Sequence, residues 1–364
     1  MFVAFEGSLG STVGGQQACT RELTEVLQKA GFDLLTLAIP SRLTLLDRLR
    51  HRIRPIPYPV CWPKDTAERI VERAKVCGAG TIFFNLIDFL PLAREVRSGV
   101  DPKTRLVMLS HGLASPDVQH INRIAREMPE IIGRCPRYDL KAVLKKEREY
   151  LGDFDQVISL AEFEADLCRE MGARRSDWIP RVIPEQPLEW RPVQGRLGFV
   201  GTLDHPPSME GMVKVLEAWP RDAGSGVKVR VVSRSRWHGE WLAKRFPQVE
   251  YLGPLDGGEI EKEAASWCAF LHPMFCFARG CSTKLATGLG WRIPCVSTES
   301  GIRGYELPPG SWVIADSPRK FVSECFRISQ IESASEARAD LIEASNKLLC
   351  MSEAASRFRA LIQP

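Results

Sequence analysis

No stretch of this 364-residue chain approaches the roughly 20 consecutive apolar residues that span a bilayer, so no membrane-crossing helix is expected. The opening residues, MFVAFEGS, lack the basic n-region of a secretory signal and read instead as a β-strand. Cysteine is not scarce, but paired cysteine is: the eleven residues are odd in number and form no CxxC. The nearest pair, Cys276 and Cys281, has no histidine pair beside it, which leaves a metal short of ligands. Reduced, mostly buried thiols in a cytoplasmic protein are the expectation. A large excess of charge is also missing, and a net charge of +4 argues against a nucleic-acid partner. No short-period repeat or low-complexity segment occurs. At the first strand–helix turn, Gly10, Gly14 and Gly15 do not make G-x-G-x-x-G, so the nicotinamide dinucleotide fingerprint is absent.

What is present is an ordinary globular composition. With 44% hydrophobic and 26% charged residues wholesale disorder is excluded, and at about 150 residues per domain the length asks for two domains. Apolar runs alternate with helical patterns, the signature of βαβ units on a parallel sheet. Residues 2–5 read as a strand and 7–15 as a glycine-rich turn. A helix follows from Gln16, with Leu23, Val26 and Leu27 on one face and Gly31 closing it. Strands are expected at 32–38, 81–85, 105–109 and 156–160, with helices at 140–150 and 161–171.

Pro180, Pro184, Pro187 and Pro192 bar both helix and central sheet, and beyond them the pattern restarts. Strands are expected at 197–201, 227–232, 249–252, 269–272, 294–298 and 312–315. Asp204-His-Pro-Pro-Ser208 opens a helix, and Ser317-Pro318 makes an N-cap and first-turn pair for another. The expected organisation is α/β: one Rossmann-like domain over 1–183, a linker over 184–195, a second such domain over 196–334 and a terminal helix over 335–364. Ligands of doubly wound sheets sit beyond the carboxyl ends of the strands, so the cleft between the domains is the expected site.

The richest segment runs from Phe270 to Thr298 as strand, loop, short helix, strand. Gly280 allows close backbone approach to a ligand, and Ser282 or Thr283 can cap the helix. Lys284 falls in the first helical turn, where a cation opposes the helix dipole unless an anion occupies the N-terminus. An ordinary turn with a solvated lysine is the alternative. His111 follows a strand, and a neutral imidazole there can donate one hydrogen bond and accept another. His272, at the end of another strand, competes for that role. Asn85 and Asp88 lie at a third strand end, placed for a second substrate or for capping the turn. Arg234, Arg236 and Arg279 are candidate sources of positive charge. Residues 42–54 carry five arginines against one aspartate, interleaved with Leu43, Leu45, Leu46, Leu49 and Ile53. Such a segment suits peripheral contact with an anionic inner membrane face, or a solvated groove wall.

In this order these features resemble glycosyltransferase family 4 and its GT-B relatives. The family's G-x-x-x-K-hydrophobic loop and following helix and strand are similar to Gly280, Lys284, Leu285, Gly290, Pro294, Val296 and Thr298. Gly14-Gly15, Asp155 to Ala165, Phe199 to Ser208, Tyr251 to Leu255, Gly301-Ile-Arg-Gly304 and Ala315 to Pro318 resemble further family segments, so the likeness covers nearly the whole chain. It implies a GT-B fold, two Rossmann-like domains facing a cleft. It also implies a hexosyl-type enzyme that moves a sugar from a nucleotide diphosphate sugar to a glycan, lipid-linked or protein acceptor. Retention of configuration is implied, with the nucleotide sugar as co-substrate and neither cofactor nor essential metal.

On this reading the donor is bound by Gly14, Gly15, Arg234, His272, Arg279, Gly280, Cys281, Ser282, Thr283, Lys284 and Thr287. His111 contacts the sugar at the catalytic centre, and Asn85 and Asp88 bind acceptor. An inverting enzyme would instead need Asp88 or His111 as base. The family's two glutamates, eight positions apart, are replaced by Arg279 and Thr287. Its basic pair after the strand at 197–201 is missing, with Thr202 and Ser208 nearby. These departures favour, as the alternative, a catalytically inactive nucleotide-sugar-binding protein on the same fold.

Overall fold

A computed structural model of the chain describes residues 1–10, 14–41, 62–132, 139–220 and 226–362. Its strands fall into two six-stranded sheets. The first holds β1 (Phe2–Phe5), β2 (Thr36–Ile39), β3 (Thr81–Asn85), β4 (Arg105–Ser110), β5 (Gln156–Ser159) and β6 (Ser176–Trp178) in the order β2-β1-β3-β4-β5-β6. The second holds β7 (Arg196–Val200), β8 (Lys228–Val232), β9 (Val249–Gly253), β10 (Ala269–His272), β11 (Cys295–Ser297) and β12 (Val313–Ile314) in the order β12-β11-β10-β7-β8-β9. Every pairing is parallel. Parallel strands are covered on both faces, which is why Ile82, Phe83 and Phe84, or Leu106 through Leu109, are apolar without alternation and almost wholly buried. Strand order reverses between β1 and β3 and between β7 and β10. The crevices beyond those strand ends are where doubly wound folds take ligands.

Most expected strands lie where periodicity puts them, and the exceptions have local causes. β2 begins only at Thr36, because Phe32 leaves the strand path to pack edge-on against Phe83 and Phe358. β6 escapes sequence reading: three residues at a sheet edge carry no periodic signal. The helix over Pro318–Ile328 is capped as expected, the Ser317 hydroxyl accepting from Lys320 N–H.

The terminal helical stretch is two helices, Ile331–Ser345 and Met351–Ile362. Ala334 and Leu341 of the first are buried beside the second sheet, whereas Phe358 of the next is buried against Phe83 of the first sheet. One straight helix cannot serve both cores, so the chain breaks and crosses back. Residues of the proline-bearing stretch run along the second domain, with Gln186 N–H donating to Gly290 O (2.9 Å) and Arg191 N–H to Ala265 O (2.8 Å). The helix Ala114–Glu127 follows β4 in the first half, yet its Ile124 sits in the second core with Met209 and Met212. Among the described residues no helix is long and apolar enough to cross a membrane.

Candidate functional site

Three helices begin at the facing strand ends: Gly15–Lys29 beyond β1, Pro206–Glu217 beyond β7 and Thr283–Gly290 beyond β10. A Cβ on Gly15 would lie 2.9 Å from Thr283 Oγ1, so two of these N-termini abut across the cleft. Lys284 leaves the first turn of its helix, crosses Gly201 at the end of β7, and donates from Nζ to Ser208 Oγ at 3.0 Å. That path runs directly against Gly201, where a Cβ would lie 2.1 Å from Lys284 Cε and would push the side chain aside. Ser208 is in the first turn of Pro206–Glu217. The ammonium is therefore partly buried beside the positive ends of two helices. Burial first, then Arg303, brings its pKa down to about 8, with Asp204 acting in the opposite sense. The first turn of Thr283–Gly290, the aligned dipoles of both helices and a lysine on one spot make an anion-binding arrangement, although Pro206 and Pro207 have no N–H and Ser208 and Met209 N–H both donate to His205 O (3.0 and 3.1 Å).

The other donor candidates are used in different ways. His272 is buried with both ring nitrogens engaged, Nδ1 with Ser297 Oγ at 2.9 Å and Nε2 with Ser282 Oγ at 2.7 Å. Burial, Lys284 and Arg303 push its pKa down to about 3, so it is a neutral brace under Ser282. The Ser282 carbonyl accepts from Tyr305 Oη at 2.6 Å. The Thr287 hydroxyl donates back to Thr283 O at 3.1 Å. Burial pushes the Cys281 thiol up to about 12, and Cys281 packs against Gly304. Arg234 is exposed just past β8, and its neighbour Arg236 turns away to pair with Glu240 at 2.7 Å.

On the first-domain side the site residues form one hydrogen-bonded chain. Thr20 donates to Gln16 O (2.9 Å), Asn85 Nδ2 donates to Thr20 Oγ1 (3.0 Å), and Asn85 Oδ1 faces His111 Nε2 (2.8 Å). Because Asn85 Oδ1 only accepts, the proton of His111 resides on Nε2 and Nδ1 carries a lone pair. Burial, Arg279 and Arg181 lower the pKa of His111 to about 3, so the ring is neutral across the working range. Asn85 is fully buried beneath His111, while Asp88 is partly exposed and pairs with Arg279 at 3.5 Å. His111 and the loop after β10 touch through backbone: a Cβ on Gly280, whose φ is +59°, would lie 2.1 Å from His111 O.

Three residues absent from the sequence-derived set also hold this loop. Arg303 donates to Ala278 O (2.9 Å), Ser300 O (2.5 Å) and Arg279 O (3.4 Å). Asp117 Oδ1 accepts from Arg279 N–H (2.7 Å), and Glu164 Oε1 from Gly280 N–H (2.9 Å). Arg303 lies within the Gly301–Gly304 turn and Glu164 within the 155–165 segment, so both were visible as parts of motifs. Asp117 had no sequence signal. The arginine-rich residues 42–54 lie outside the described residues.

No family model matches this chain, and no curated protein matches it. Solved structures do. A sucrose-phosphate synthase from Thermosynechococcus elongatus superposes with a TM-score of 0.70 at 16% identity, over 99% of this chain and 97% of that one. HepE of Anabaena in complex with UDP-glucose gives 0.62 at 10% identity, over 99% and 98%. The apo lipopolysaccharide outer core galactosyltransferase WaaB gives 0.59 at 11%, over the whole of both chains. Identities this low carry the architecture alone, and that architecture, two parallel α/β domains facing a cleft, is the GT-B fold.

Proposed function

We propose that this protein is a glycosyltransferase that moves a sugar from a nucleotide diphosphate sugar to a glycan, lipid-linked or protein acceptor, with retention of configuration. The observation that carries the reading is Lys284, held over Gly201 to Ser208 where the helices Pro206–Glu217 and Thr283–Gly290 begin. Cleaving a glycosidic bond to a diphosphate builds negative charge on the leaving oxygens, and fixed donors aimed at that charge lower the barrier. Lys284 and the first-turn amides of Thr283–Gly290 supply those donors, with the Gly15 terminus abutting Thr283 and the Pro206–Glu217 helix adding its dipole and the Ser208 hydroxyl. His111, neutral and accepting at Nδ1, is suited to a sugar hydroxyl. A pKa near 3 makes it a poor base at neutral pH, and Asp88 is engaged with Arg279. Neither is set up to activate an acceptor from the face opposite the leaving group, which supports retention over inversion.

HepE has been solved with UDP and glucose and with UDP-glucose, so uridine is the first base to try. Thermal shift against UDP, GDP, ADP and dTDP and their sugars comes first, followed by release of nucleotide from the sugar that stabilises most. Stabilisation with slow hydrolysis, and anomeric retention in the product by NMR, is the expected result. A chain that no nucleotide stabilises would not be a donor-binding protein. Binding without any hydrolysis or transfer would leave the inactive binding protein in its place.

A further inference from the structure

Two consecutive amides of the donor loop, Arg279 N–H and Gly280 N–H, are turned toward the first domain. Successive N–H groups next to a left-handed residue form a concavity that ordinarily takes an anion. Here each amide meets a carboxylate from across the cleft: Asp117 Oδ1 at 2.7 Å and Glu164 Oε1 at 2.9 Å. The same Glu164 oxygen accepts from Leu113 N–H at 3.0 Å, two residues past His111. One oxygen thus ties the donor loop to the turn that carries the histidine. Contact between these backbones is direct, since a Cβ on Gly112 would lie 2.3 Å from Gly280 N.

Glu164 is fully buried, and its second oxygen, Oε2, has no hydrogen-bond partner among the described residues. A buried carboxyl with one oxygen unsatisfied is costly to keep for packing alone. From the other side Arg303 grips the carbonyls of Ala278 and Arg279, so the loop is held at its amides by one domain and at its carbonyls by the other.

We infer that Asp117 and Glu164 are positioning residues through which the acceptor-side domain sets the shape of the donor loop, fixing Gly280 and the following helix N-terminus in register with His111. The consequence for the donor rests on the glycosyltransferase reading; the clamp itself does not. Hydrogen exchange on the full, ligand-free chain separates the two. Glu164→Ala and Asp117→Ala should each raise exchange about tenfold in peptides covering 275–285, in the domain opposite the substitution. Glu164→Ala should do the same at 111–115. At pH 5, Glu164→Gln and Asp117→Asn, which keep an acceptor oxygen, should stay within about twofold of wild type. If Glu164→Ala does not fold, Glu164→Met preserves bulk while removing the acceptor. Unchanged exchange at 275–285 in the acceptor-less variants, or equal loss in the amide variants, overturns the clamp.

With UDP as probe, the acceptor-less variants should bind about tenfold more weakly and the amide variants normally. Faster loop exchange with unaltered UDP affinity would overturn the positioning role. Should wild type bind no nucleotide diphosphate, the donor reading fails while the exchange result still decides the clamp.

Discussion

Raising the pH from 7 to 9 discharges Lys284 in the ligand-free protein, and nucleotide diphosphate affinity should fall with it. The pKa of Lys284 is held near 8 by burial and by Arg303. Its protonated fraction then drops from about 90% at pH 7 to about 10% at pH 9. A diphosphate beside the ammonium restores the charged form, so the bound-state pKa is the higher one and binding takes up a proton. Affinity is therefore full below the free-state pKa and is lost as pH rises through it, by about tenfold or about 1.4 kcal/mol across this window. Phosphate oxygens titrate near 6 and are already ionised, so they add no slope. Calorimetric titration of UDP at pH 7, 8 and 9 measures the fall, and at pH 8 two buffers of different ionisation enthalpy should report uptake of about half a proton. Lys284→Ala should bind about tenfold more weakly at pH 7 and show no slope. A flat profile for wild type, or the same slope in the variant, would refute the placement of Lys284 at the phosphates.

Asn85→Leu removes the acceptor that keeps the His111 proton on Nε2. Transfer should slow by roughly tenfold while UDP affinity is unchanged, and a loss of UDP affinity instead would show that Asn85 serves the donor. Glu164 has its pKa raised to about 7, first by burial, against the pull of the Gly280 and Leu113 amides and of Arg303 and Arg279; Cys168 is a further titratable neighbour. A raised carboxyl pKa favours the fold below the unfolded value and loses that advantage as pH rises to the folded one. Glu164→Gln should thus gain on wild type between about pH 4.5 and 7, by about 3 kcal/mol, and level off above. Parallel urea-unfolding curves at pH 5 and 8 would contradict this. Replacing Arg48, Arg50, Arg52 and Arg54 with glutamine tests the basic segment: each arginine near anionic lipid is worth about 1 kcal/mol at low salt. Equal sedimentation of both proteins with phosphatidylserine vesicles would mean the segment does not reach a membrane.

The features legible in the sequence are those whose cause is local. Uninterrupted apolar runs such as those at 82–84 and 106–109 mark doubly covered strands wherever they fold, and Ser317-Pro318 starts a helix by its own cap chemistry. Lys284 stood out for the same reason: a cation in a first helical turn is anomalous before any partner is known.

Tertiary structure decided everything that depends on who sits opposite. His272 ends a strand as expected, but serines 10 and 25 residues away occupy both its nitrogens. Asn85 turned out to lie beneath His111, fixing its tautomer from 26 residues away. The terminal stretch reads as continuously helical because both its parts are amphipathic, and only the presence of two separate cores breaks it. Asp117 and Glu164 reach the Arg279 and Gly280 amides from 162 and 116 positions away. A carboxylate's partner at that distance leaves no mark on the residues around it, because hydrogen bonding selects by position in space and not by order along the chain.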